Sequence, residues 1–247
     1  MTKQLMIYEN AVPISTEMHR TISVRQGNTY DFAAKLNSVP LVVAEFANAA
    51  GEYPIVFAGE GEAMTPAAVV GLRTDENLCV METGAWDGEY VPAFLRRYPF
   101  VFAGGTDGTP FTLCIDTAFA GVNEEGKGER LFDSEGARTQ YLNNMLQFAS
   151  DYQTQHAMTQ AFTAKLRALD LLETAAASAS MADGTRLSLT GFQRVNTERL
   201  ALLPDAEVIE LFRSGMMALI HAHIASMSRL SSLLARADRR ASAQNAA

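Results

Sequence analysis

The residues of this chain best equipped for chemistry are aromatic and acidic. The single tryptophan, Trp86, lies in the turn-rich stretch ETGAWDGEYVP with Glu82, Asp87 and Glu89 close by. An aromatic face beside carboxylates on a loop can hold a cation or a sugar; the same residues serve equally to cover the edge of a sheet. Two tyrosines precede proline in echoing stretches, EYPIVFAGEGEAMTP at 52–66 and RYPFVFAGGTDGTP at 97–110. Either Tyr53 and Tyr98 face a shared cleft, with Trp86 and Arg96 on its walls, or each tyrosine fills a corner with its hydroxyl bonded to backbone. These four residues are the ligand-binding candidates. The echo contains no acid–base pair, so no catalytic residue is assigned.

Other reactive types are scattered. His221 and His223, two apart on a helix, point about 200° away from each other and cannot share a metal. His223 shares a stripe with Met216, Leu219, Ser226 and Leu230, and reads as a hydrogen-bonded core or interface histidine. GEGEAM and GGTDGT lack the lysine and the strand-loop-helix setting of a phosphate loop. Neither G-x-S-x-G nor H-E-x-x-H occurs. Cys79 and Cys114, in NLCVMET and FTLCIDT, match no zinc spacing and read as reduced, buried residues. No metal or cofactor is expected, and a binding role is favoured over an enzymatic one.

The elements that must position these residues follow from proline and from periodicity. Proline bars helical backbone at the residue before it, so Tyr53 and Tyr98 mark points where a helix gives way to a strand. Each is preceded by a helix introduced by Val-Pro, at Val39-Pro40 and Val91-Pro92, and Thr65-Pro66 is matched by Thr109-Pro110. IVFAG, AAVVGLR and NLCVMET predict three antiparallel strands, and FVFAG and FTLCIDT two more. From Asp133 to about Glu173 there is no proline, and Tyr141, Met145, Phe148, Tyr152, Phe162, Leu166 and Leu169 keep helical spacing, with Ser134 as the N-cap. AAASASMADGT reads as a loop closed by Asp183-Gly184, RLSLTGFQRV as a strand and NTERLALL as an Asn-capped turn. The last segment is helical with a joint at Ser214-Gly215.

The expected fold is therefore α+β: an antiparallel sheet built from two related helix-strand-hairpin units, then a long helix and a C-terminal helical segment. Residues 1–133 form a mostly β domain, and 134–247 a helical segment packing on it or integrated with it. An apolar content of 48% supports a real core, and a net charge of −8 argues against sequence-independent nucleic-acid binding. The acidity sits in 1–133, where eighteen acidic residues face nine basic ones. Arg229, Arg236, Arg239 and Arg240 read as a solvated helix end. Glu9, Asn10 and Pro13 interrupt any leader-like run, and MMALIHAHIASM is too short to span a bilayer, so a cytoplasmic location without a transmembrane segment is expected. The surplus of apolar helical surface predicts a homodimer through the long or C-terminal helices, with room for a further protein partner.

LNSVPLVVAEFANAAGEYPIVF, NLCVMETGAWDGEYVPAFLRRYPFVF and LTGFQRVNTERLALLPDAEVIELFRSGMMALIHAHIASMSRLSSL together resemble the bacterial SapC family. The resemblance covers most of the chain. It implies a link to surface-layer loci, and relatives whose genes neighbour those of flavin-dependent halogenase-like proteins and outer-membrane receptors. It carries no catalytic residues over, and the missing export signal favours an accessory role inside the cell.

Overall fold

Both Tyr-Pro pairs stand where a short helix ends and a strand begins, as the restriction on the residue before proline requires. The computed structural model describes residues 7–104, 111–181 and 184–246. In chain order these hold β1 (Ala11–Pro13), α1 (Thr16–His19), β2 (Ser23–Val24), β3 (Ser38–Pro40), α2 (Phe46–Ala49), β4 (Ile55–Ala58) and β5 (Thr65–Val69). There follow α3 (Ala93–Arg96), β6 (Phe100–Ala103), β7 (Thr112–Asp116), β8 (Val122–Asn123), β9 (Glu129–Arg130) and the long helix α4 (Gln140–Ala168). The last part holds β10 (Leu172–Ser180), β11 (Arg186–Val195), α5 (Thr197–Ala201), α6 (Asp205–Arg213), α7 (Met216–Ser226) and α8 (Leu230–Ala246). The chain is α+β, with every strand pairing antiparallel.

Two compact units interleave along the sequence. The first takes the residues up to Thr29 and Leu95–Thr154; the second takes Tyr30–Phe94 and the residues from Gln155 on. A division at residue 133 would fall inside the first unit. The two related hairpins do not share one sheet: β6 and β7 belong to a three-stranded sheet ordered β1-β7-β6, whereas β4 and β5 belong to a five-stranded sheet ordered β10-β11-β4-β5-β3. A third small sheet, β8-β2-β9, lies in the first unit. Ile22, Val24, Phe100, Ile115, Leu131 and Leu142 form the core of the first unit. Val56, Val69, Leu78, Phe192 and Leu233 pack together in the second.

The echo is wider than the hairpin. In the second unit the row Val39–Ala68–Ile55 crosses β3, β5 and β4, and in the first Val12–Ile115–Phe100 crosses β1, β7 and β6. Bonds outside the ladders match as well. Leu41 N donates to Pro66 O and Ile14 N to Leu113 O, both at 2.9 Å; Val69 N donates to Pro54 O and Asp116 N to Pro99 O, again at 2.9 Å. Val70 N reaches Asn37 O at 2.9 Å, and Thr117 N reaches Asn10 O at 3.1 Å. The two edge strands thus come from Asn37-Ser-Val-Pro-Leu and Asn10-Ala-Val-Pro-Ile. Val12-Pro13, rather than Val91-Pro92, is the sheet counterpart of Val39-Pro40. By the same register Thr65 corresponds to Thr112; Thr109 and Pro110 lie outside the described residues.

Three local expectations change, and the expected joint is present. NLCVMET forms only an isolated bridge, Val80 with Trp86, because the Asn77 side chain accepts the Cys79 N–H and turns the chain. AAASAS is not a loop but most of β10, where pairing with β11 overrides the weak strand preference of alanine and serine. Asp183 lies outside the described residues. The long helix is capped by Thr139, whose Oγ1 accepts the Leu142 N–H at 3.3 Å, because Asp133 ties Glu135 and Ala137 into a local turn upstream. At the Ser214-Gly215 joint, Gly215 has φ 77° and the chain bends by 90° between α6 and the helices after it. That positive φ is a conformation glycine adopts without steric penalty.

Candidate functional site

The Tyr53 corner holds a connected network of polar groups in the second unit. Tyr53 is 2% exposed; its hydroxyl donates to Tyr90 O and accepts from Trp86 Nε1 at 2.9 Å. Glu52 accepts the N–H groups of Glu89 (3.1 Å) and Tyr90 (2.7 Å). The buried carboxylate of Glu45 accepts from Val42 N (2.8 Å), Ala93 N (2.6 Å) and the Tyr90 hydroxyl (2.8 Å). Glu52 and the Tyr53 phenol thereby hold the loop WDGEY by its main chain, and Glu45 holds it by the Tyr90 hydroxyl. Gly88 is required by the close approach: a Cβ there would lie 2.6 Å from Glu52 Oε2 and 2.9 Å from Tyr53 Oη. From the other side, Arg236 pairs with Asp87, and Arg240 donates to the carbonyls of Asn77 (2.8 Å) and Val80. Arg236 thus holds the WDGEY loop and Arg240 the 77–80 segment before it, so these two arginines do more than end a solvated helix. Burial holds the Tyr53 phenol well above the ordinary tyrosine range and pushes the Cys79 thiol up to about 12, so both stay protonated.

Tyr98 fills the matching corner of the first unit with different neighbours. It stacks edge-on to Tyr8 and Phe119, with ring centroids 5.3 and 5.2 Å away, and its hydroxyl is 3.4 Å from Asp116 Oδ2. Asp116 is fully buried and accepts the N–H groups of Glu9 (2.8 Å), Asn10 (3.0 Å) and Ala118 (3.0 Å). The buried guanidinium of Arg97 lies 4.4 Å from the Tyr152 ring and 5.9 Å from that of Tyr8. Burial, reinforced by the Asp116 carboxylate, raises the Tyr98 phenol; burial also pushes Tyr8 up to about 12 against the opposing pull of Arg97. Arg96 is exposed on α3, its guanidinium 5.5 Å from the Phe148 ring. Of the four ligand-binding candidates, then, Tyr53 and Trp86 are bonded to each other in the second unit, while Arg96 and Tyr98 belong to the first.

His223, 1% exposed, closes a gap in the five-stranded sheet. β11 pairs with β4 only at Phe192–Ala58 and Gln193–Phe57. Beyond that point Nδ1–H of His223 donates to Ile55 O at 2.8 Å, and Nε2 accepts the Val195 N–H at 3.0 Å. Ser226 Oγ accepts the Ile55 N–H at 2.9 Å and donates to His223 O at 2.6 Å. One turn of α7 thus satisfies both peptide groups of Ile55 and one of Val195. Burial lowers the imidazole to about 4, so it stays neutral, as its acceptor role at Nε2 demands. His221 faces solvent.

Sequence reasoning missed Glu45 and Asp116, which look like ordinary surface charges. The repeated Asn-x-Val-Pro edge strand was the available signal for Asp116, since that carboxylate binds the strand's first peptide. A pocket of about 300 Å³ in the first unit is lined by Ile14, Leu113, Phe132 and Leu142 together with Ser15, Thr112 and Arg138. No group of three or more His, Cys, Asp or Glu residues able to hold a metal occurs among the described residues. Nor, among them, is any single helix long and apolar enough to cross a membrane.

A family model described as SapC matches residues 14–233. No curated protein and no solved structure matches the chain.

Proposed function

The chain belongs to the SapC family, and from that premise we propose that it is a non-enzymatic accessory or binding protein. It acts in the cytoplasm with protein partners of a bacterial surface-layer or outer-membrane uptake system. The observation that carries this reading is how the reactive groups are spent. Tyr53, Glu45 and Glu52 in one unit, and Asp116 in the other, bond main-chain groups of neighbouring segments instead of pointing at a common reacting position. A phenol held well above its usual range and bonded to a carbonyl is a fastener rather than a base.

The test pairs a partner assay with a stability assay. A tagged chain cross-linked in its own bacterium should carry envelope or outer-membrane receptor components with it. Tyr53→Phe should leave that set unchanged while costing about 1–3 kcal/mol, or roughly 2–12 °C in Tm for a chain of this size. Turnover of a component of a metabolite extract, lost in Tyr53→Phe or Tyr98→Phe at unchanged Tm, would overturn the proposal.

A second reading, a small-molecule binder, is favoured by the pocket in the first unit. Its mixed lining, apolar side chains together with Ser15, Thr112 and Arg138, suits a short amphipathic carboxylate. Saturable binding of such a carboxylate, weakened in Arg138→Gln, would mark it.

A further inference from the structure

Helix α6 is amphipathic in an unusual sense: its inner side is tied down and its outer side is apolar and exposed. Leu211 is fully buried, and Glu207 and Glu210 pair with Lys165 of α4 at 2.8 and 2.9 Å. On the opposite side Ile209 is 49% and Phe212 75% exposed, with Leu202, just before the helix, at 83%. Exposed apolar residues gathered on one element mark an interaction surface more often than scattered ones do. The charges around this face decide its partner. At about 100° per residue, Asp205 and Arg213 flank Ile209 on either side, and Phe212 and Ala206 do the same slightly further out. The face is therefore self-complementary under a two-fold rotation through Ile209. Two antiparallel copies place Ile209 on Ile209, Phe212 over the small Ala206, and Asp205 against Arg213 twice. A parallel arrangement would set like charges together.

We propose that the outer face of α6 is the contact between two copies of this chain in an isologous, antiparallel dimer. Isologous contacts need this self-matching of one patch, and opposed charges at both ends fix the antiparallel register. Asp205 and Arg213 form no ion pair among the described residues, so both are available to a partner. The proposal stands apart from the functional reading above, since a dimer could serve either an accessory protein or a small-molecule binder. The short helix makes a small interface, of the class found in weak and transient contacts, so the test is set in the micromolar range.

Sedimentation velocity of the full chain from about 1 to about 100 µM spans that range. The wild type should pass from monomer to dimer across it. Phe212→Glu should weaken association at least about tenfold, as removal of a central aromatic anchor does. Arg213→Asp should do the same by setting two carboxylates against each other. The double variant Asp205→Arg with Arg213→Asp should restore the dimer, a rescue that damage to the fold would not produce. A wild type that stays monomeric, a dimer untouched by Phe212→Glu, or a double variant no better than Arg213→Asp would each overturn the proposal. A monomer that floats with lipid vesicles through Phe212 would overturn it too and give the face to a membrane.

Discussion

Acidification should unfold this protein partly through one histidine. His223 is neutral in the folded chain because Nε2 must accept the Val195 N–H, and its proton affinity falls from the usual 6.5 to about 4. In the unfolded chain nothing opposes protonation at 6.5. Between these two values the unfolded state binds a proton that the folded state refuses, so stability is complete above about pH 6.5 and falls as pH drops toward 4. At about 1.4 kcal/mol per pH unit, the full loss is about 3 kcal/mol, of which about 2 kcal/mol is gone by pH 5. The side chain is 1% exposed, so solvent screening does not discount the figure. Urea unfolding at pH 7.5, 6.5, 5.5 and 5 should be compared with that of His223→Gln, which keeps an acceptor but cannot titrate. The variant should be less stable at pH 7.5, and its deficit should shrink by about 2 kcal/mol at pH 5. His19, His156 and His221 are common to both chains and cancel in the difference. Equal pH slopes for the two proteins would refute the argument, since His223 would then protonate as easily folded as unfolded.

Two further outcomes test the loop held at the Tyr53 corner. Gly88→Ala should cost about 1–3 kcal/mol, because the added Cβ falls within 2.6–3.0 Å of Glu52, Tyr53 and Trp86; as the only tryptophan, Trp86 should report it by a red-shifted emission, and an unshifted emission at unchanged Tm would count against the packing described. Arg240→Ala should lose two charge-assisted bonds to carbonyls, about 1–3 kcal/mol, and speed amide exchange in residues 77–90 while leaving β6 and β7 protected. Uniform acceleration across both hairpins would show that the contact is not local.

What could be read from the sequence was whatever acts through neighbours in the chain. Pro54 and Pro99 constrain Tyr53 and Tyr98 directly, so both corners were legible. His223 was legible as a bonded core residue because a stripe at helical spacing reports burial. Contacts between distant segments left weaker traces. Asn10-Ala-Val-Pro and Asn37-Ser-Val-Pro are a visible repeat, yet the first pairs with a hairpin about a hundred residues later, and no local period announces that. β10 is illegible for a different reason: Ala175, Ala177 and Ser178 carry little strand preference, and only their partners on β11 make them a strand. Trp86 and Tyr53 are bonded to each other, but the sequence does not show that Glu45, 41 residues before Trp86 in the chain, is bonded to the Tyr90 hydroxyl beside them.

The duplicated module itself argues about where specificity resides. Its main-chain bonds repeat atom for atom, but its polar side chains do not. Asp116 stands where the other copy has Val69, and Cys114 where it has Ala67. Tyr53 meets a carbonyl and an indole; Tyr98 meets a carboxylate and two aromatic rings. Matched ligand positions would require matched polar surroundings, since a buried group without its partner is costly. Backbone geometry, by contrast, needs only Asn-x-Val-Pro, Tyr-Pro and a pair of apolar rows, which both copies keep. The repeat is therefore a shared backbone frame, and under the proposed binding role the recognition surface would lie in parts without a counterpart in the module. The segment from Thr197 onward is such a part, and it carries the exposed apolar residues Leu202, Ile209 and Phe212.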